Sequence, residues 1–143
     1  MVAPLFFLLL FGIIEAGRFI FYYEILSNAT REGARYAIVN GYASLTCPTG
    51  PAYPGTLECD PDGNDVAQKV RDAAVGVLGS SVVVDRCWWY DDATCDFSTH
   101  GLGDNGRGAT VTVAASYTYA TIVPLVPLPT ITVTAESSLV INN

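Results

Sequence analysis

The stretch PLFFLLLFGIIEAGRFIFYY, Pro4–Tyr23, decides how this chain is read. Everything up to Ile14 is uncharged, Glu15 and Arg18 interrupt one helical turn apart, and Phe19–Tyr23 restore the apolar and aromatic character. A helix crossing a bilayer needs about 20 apolar residues, more than the fourteen uncharged ones from Met1 to Ile14. The nine Leu, Ile and Phe residues from Leu5 to Ile14 favour insertion by about 4 kcal/mol, at roughly 0.3–0.6 kcal/mol each. One acid and one base at the bilayer centre would cost roughly 5–7 kcal/mol. The two charges must therefore lie near the interface or face other protein. A cleaved signal peptide fits poorly, because no basic region precedes the run and no small-x-small site follows it.

The helical pattern continues past Glu24 to Val39. Glu15 and Arg18 are three residues apart and share a face on which they can pair. Gly12 and Ala16 are four apart, as are Ala29, Gly33 and Ala37, spacings that let another helix approach closely. Glu24, Asn28, Arg31 and Arg35 form one polar stripe, and Tyr22, Leu26, Ala29, Gly33 and Tyr36 form the complementary apolar one. The sequence thus predicts one rod that starts in lipid and emerges amphipathic. Its apolar stripe must dock on the chain's own domain, on a partner helix, or on both.

The full length of 143 residues has room for one modest domain and an anchor. Net charge is −7 with only seven basic residues, which excludes a nucleic-acid partner, since phosphate contacts need clustered Lys and Arg. The four cysteines, Cys47, Cys59, Cys87 and Cys95, include no C-x-x-C pair, and His100 is the only histidine, so zinc is a poor fit. An even count beside a hydrophobic N-terminal segment points to disulfides in an oxidising compartment. Of three connectivities, Cys47–Cys59 and Cys87–Cys95 is favoured, because each pair brackets a short, turn-rich loop.

Residues 40–63 hold several Pro and Gly and two of the cysteines, and read as an irregular, cross-linked connector. Asp60–Asp65, DPDGND, alternates carboxylates as a calcium loop does, but its Gly is misplaced and no Glu stands twelfth. A turn leading into a helix, with Asp65 and Gln68 in capping-box spacing, is preferred. Val66, Val70, Ala73 and Val77 then share one face of a short helix ended by Gly79. SSVVVDRCWW, Ser80–Trp89, reads as a strand. Ala109, Val111, Val113, Ala115, Tyr117 and Tyr119 alternate with a hydroxyl-rich outer face, and Ile131, Val133, Ala135 and Leu139 repeat the pattern. The prolines of TIVPLVPLPT, Thr121–Thr130, forbid a regular central strand between them. Trp88, Trp89 and Tyr90, beside Asp91, Asp92 and Asp96, are a possible binding surface, although packing under the Cys87–Cys95 loop is preferred. THGLGDNGRG, Thr99–Gly108, reads as a mobile turn. No catalytic constellation, metal site or cofactor motif is evident, so the chain reads as a non-enzyme.

At FGIIEAGRFIFYYEILSNATREGARYAIVNG, Phe11–Gly41, the chain resembles the TadE-like proteins, pilin-like components of the tight-adherence (Tad or Flp) branch of type IV pilus systems. The carriers are the Pro-led run from Pro4, Phe11-Gly12-Ile13-Ile14-Glu15 with Gly17-Arg18, and Asn28-Ala29 leading into Arg31–Ala37. The likeness is strong over residues 1–39 and architectural beyond. Family members begin with a basic leader, a cleavage position after a small residue and an early Glu; position 5 here is Leu5, so prepilin processing is implied by resemblance only.

The resulting expectation is an α+β chain: a pilin-type helix over 1–39, a connector over 40–63, and a small disulfide-stabilised domain over 64–143 with one helix on an antiparallel sheet. The resemblance implies a minor pilin or filament subunit, anchored by a single pass with its domain outside the cytoplasm. Its partners would be other pilin-like subunits, the assembly machinery and the bilayer. Arg18, Arg31 and Arg35 argue for the opposite orientation by the positive-inside rule, and the cysteines are given more weight. Helix packing is expected through Gly12, Glu15, Ala16, Arg18, Tyr22, Leu26, Ala29, Gly33, Tyr36 and Ala37. The alternative is a monomeric, membrane-tethered adhesion module that binds through Trp88–Tyr90.

Overall fold

No proline follows Pro4 until Pro48, and a single helix, α1 (Ala3–Val39), fills most of that interval. It stops where Asn40 turns both its backbone N–H and its side-chain amide onto the Tyr36 carbonyl, 3.1 and 3.0 Å away. Gly41 follows under Ile141, where a Cβ would fit only tightly, 3.0 Å from Ile141 Cγ2. This computed structural model describes residues 3–51, 59–78, 81–90, 95, 97–98, 105–120 and 130–142. After α1 come α2 (Asn64–Leu78), β1 (Val83–Trp89), β2 (Thr110–Tyr119) and β3 (Ile131–Val140).

The three strands form one antiparallel sheet in the order β1-β2-β3. Period-two alternation sends Val84, Arg86 and Trp88 of β1 to the same face as Val111, Val113 and Ala115 of β2 and Val133 and Ala135 of β3. Both helices cover that face, with α1 against β2 and β3 and α2 against α1 and β1. The expected long helix, short helix and antiparallel sheet, in the two-layer arrangement of an α+β domain, are all present.

In the second half of α1 the buried stripe is Leu26, Ala29, Thr30, Gly33, Ala34 and Ala37. Glu24, Asn28, Arg31 and Arg35 lie on the exposed side as the spacing predicts. Gly33 sits so close to Val70 and Val113 that a Cβ would overlap Val70, and this close approach sets the α1–α2 distance. On α2 the buried residues are Val66, Ala67, Val70, Ala74 and Leu78. Ala73 was expected on that face and is exposed. Its neighbour Ala74 takes the inward position, one residue further round. Gly79 lies outside the described residues.

The DPDGND stretch is a cap. Asp60 N–H and C=O join the connector through Pro48 O and Gly50 N, and Gly63 N donates to Asp60 O across a turn with Pro61 second. The buried Asp60 carboxylate accepts from the N–H groups of Asn64 at 2.7 Å and Asp65 at 2.8 Å, two orphan donors of the first turn of α2. The expected capping box does not form: the Gln68 amide runs forward to Asp72 at 2.8 Å. Arg86 staples this turn to the sheet, donating to Asp62 O at 2.7 Å and to Asn64 Oδ1 at 2.8 Å. Burial lowers its pKa, with the charge of Asp60 opposing.

Cys47 is bonded to Cys59 and Cys87 to Cys95. Trp88 is fully buried and lies between the backbones of Gly50 and Gly63, both at positive φ and both without room for a Cβ beside the indole. The outer sheet face is hydroxyl-rich, though Thr112 is buried there, accepting from Trp89 Nε1 at 3.0 Å and bonding Ser138 Oγ at 2.9 Å. Asn105–Gly108, the described end of the Gly-rich loop, is not a free turn. Asn105 is buried and donates from its amide to Thr49 O, and Gly108 N–H is bonded to Ile141 O.

Candidate membrane and assembly site

The N-terminal half of α1 touches little of the domain. Leu5, Phe6, Phe7, Leu8, Leu9, Leu10 and Phe11 are all exposed, as are Ile13, Ile14, Ile20 and Phe21. Seven consecutive residues at 100° steps cover every side of a helix, so this is not an amphipathic face but an apolar cylinder. Such a cylinder belongs in a protein core or a membrane. None of its most apolar window is buried, and it is long and apolar enough to cross a bilayer. From Ala3 to Phe21 it rises about 28 Å at 1.5 Å per residue, close to the ~30 Å hydrocarbon thickness.

Where the cylinder meets the domain, polar and aromatic groups gather. Arg18 donates from one guanidinium nitrogen to Glu15 Oε2 at 3.2 Å and from the other to the Tyr22 hydroxyl at 3.1 Å. The expected i, i+3 pairing is therefore formed within the chain. The guanidinium also lies over two rings, 5.5 Å from the centre of Tyr22 and 5.3 Å from that of Tyr119. Tyr22 packs on both Tyr117 and Tyr119 with ring centres 5.5 Å apart, and Phe19 meets Tyr119 edge-on at 6.2 Å.

The Tyr119 hydroxyl is buried with no hydrogen bond of full geometry among the described residues. It faces the Glu15 carboxylate at the margin of such a bond. Burial first, and that carboxylate second, push its pKa up to about 12. Tyr119 therefore stays neutral, and the net-neutral Glu15–Arg18 pair is shielded by aromatic surface from β2. Sequence periodicity placed Tyr117 and Tyr119 on the buried side, but gave no sign that they end against Arg18.

The ten residues proposed for helix packing divide into three groups. Leu26, Ala29, Gly33 and Ala37 are buried against α2 and the sheet of the same chain, with Tyr36 at the margin. Gly12 and Ala16 are exposed on the cylinder, and a Cβ at Gly12 or Gly17 would meet nothing within 4 Å. Glu15, Arg18 and Tyr22 occupy the boundary. As to the aromatic trio, Trp88 is in the core and offers no outward surface, whereas Trp89 and Tyr90 are half-buried. Asp91, Asp92, Asp96 and His100 lie outside the described residues, which contain no cluster of three or more His, Cys, Asp or Glu suited to a metal.

The cylinder and the boundary lie within a stretch that matches a family model. Residues 1–35 match the family model of the TadE-like proteins. No curated protein and no solved structure matches the chain. The TadE-like match ends inside α1, before the connector and the sheet begin. It agrees with the resemblance read from Pro4 to Ala37. The TadE-like segment contains the whole apolar cylinder, the Glu15–Arg18 pair and the first part of the domain-facing stripe, up to Ala34.

Proposed function

We propose that this chain is a structural subunit of a Tad-type pilus system. The bare half of α1 anchors it in the membrane, the domain lies outside the cytoplasm, and other pilin-like subunits pack on the same bare half. The carrying observation is the division of one unbroken helix into an apolar cylinder with no cover and a stripe fused to its own domain. The TadE-like match over that helix supports the reading. So do the two disulfides, which suit an oxidising compartment.

In this account the fused stripe is already used, and Gly12 and Ala16 are the small residues left for a neighbouring helix. Glu15 and Arg18 are tolerated near lipid because they pair and are roofed by Tyr22 and Tyr119. The binding-module alternative loses its largest aromatic to the core, and we assign the protein no catalytic step.

The test is Gly12→Leu in cells that make the pilus. Membrane retention of the variant should match the parent, while co-purification of other pilin-like subunits and pilus yield should fall. Glu15→Leu should likewise leave insertion intact and impair assembly. Normal pili in both variants would overturn the assembly role, and release of the parent chain by alkaline carbonate would overturn the anchor.

A further inference from the structure

The depth of the cylinder and the position of β2 are not independent. The exposed apolar surface of the helix continues through Phe21, so an anchor that hides it sinks to about that residue. Yet the end of β2 does not stop above that level. Tyr119 is in edge contact with Phe19, lies under the Arg18 guanidinium and faces Glu15, two to six residues below Phe21 on the helix. If the domain stayed wholly in water, the exposed Phe19, Ile20 and Phe21 would stay in water with it.

The surface at that end fits immersion. Tyr119 pairs in register with Ile131, the first residue of β3, which is 37% exposed although its strand phase points it inward. Around it on α1 stand Phe19 at 37%, Ile20 at 60% and Tyr23 at 47% exposure. The charges that meet Tyr119, Glu15 and Arg18, are paired with each other. Tyr beside apolar side chains is the composition found at membrane–water interfaces. The sequence joining Tyr119 to Ile131 is also free of charged residues and holds Ile122, Val123, Leu125, Val126 and Leu128. Both of its ends are thus held at the same level of the helix.

We propose that the β2–β3 end of the domain is a second membrane contact, in which Phe19, Tyr23, Tyr119 and Ile131 seat in the interfacial layer of the bilayer around α1. The domain then rests on lipid instead of standing clear on a stalk. This rests on the reading of α1 as an anchor, and the experiment separates the two.

The full chain, carrying one added cysteine at Leu9, Ile131 or Val140, is spin-labelled after its native disulfides are verified. It is then reconstituted in phosphatidylethanolamine–phosphatidylglycerol vesicles. Val140 is exposed at the opposite end of β3, opposite Thr110. The ratio of oxygen to nickel-chelate accessibility should be highest for Leu9→Cys. For Ile131→Cys it should be intermediate and several-fold above that of Val140→Cys. A label at Ile131 as water-accessible as that at Val140, with Leu9 in lipid, overturns the second contact and leaves the anchor standing. Water-like accessibility at Leu9 overturns both.

Discussion

Gly33 of α1 lies against Val70 of α2 with no space for even one methyl group between them. Ala is favoured over Gly in a helix by up to about 1 kcal/mol, so Gly33→Ala would stabilise an uncrowded helix. Here the methyl meets a β-branched, fully buried side chain, and overpacking costs roughly 1–3 kcal/mol. A net loss of about 1–2 kcal/mol is expected from denaturant titration in detergent. Gly17→Ala, at a position with nothing within 4 Å, should be neutral or slightly stabilising.

Asp60→Ala removes both acceptors at the start of α2 and should cost roughly 1–2 kcal/mol. The loss should appear as faster amide exchange at Asn64 and Asp65, the two N–H groups the carboxylate holds. Asp60→Asn keeps one carbonyl acceptor and should retain part of the stability.

Arg86→Lys should not be conservative. The planar guanidinium reaches Asp62 O and Asn64 Oδ1 from different nitrogens, and an ammonium cannot reproduce that fork. Hydrogen bonds to charged groups contribute about 1.5–3 kcal/mol each, so a loss of about 2–3 kcal/mol is expected in the same denaturant assay.

Tyr119 should titrate well above an ordinary tyrosine. Its pKa in the folded chain is about 12, against about 10 for a free tyrosine. Between those values the folded state holds the proton and the unfolded state has lost it. Stability is therefore full below about pH 10 and falls as pH rises towards 12. Phenolate absorbance should show a late component that Tyr119→Phe removes, and the same substitution should reduce the alkaline loss of Tm. Tyr36, also raised by burial, supplies part of the remainder.

The helix and the alternating strands were legible because period 3.6 and period 2 are imposed by burial, and residues such as Leu26, Ala29, Val111 and Val113 obey them. The inward turn of Ala74 in place of Ala73 was not, since two adjacent alanines carry no information about phase. Arg86 left a faint signal: it occupies the inward phase of Val84-Arg86-Trp88, where an uncompensated charge cannot stay. Its partners Asp62 and Asn64 lie more than twenty residues away, and sequence spacing does not reveal which loop will meet a strand. The same alternation marks Trp88 as inward and Trp89 as outward. The Arg18–Tyr119 contact joins residues a hundred apart and needed the fold to appear.

Because α1 passes from its bare half to its fused half without a hinge, the sheet cannot swivel independently of the bare cylinder. Turning the cylinder about its axis among its neighbours turns the whole domain by the same angle. In the assembly proposed above, whatever selects the azimuth of Gly12 and Ala16 therefore also selects which flank of the sheet looks outward.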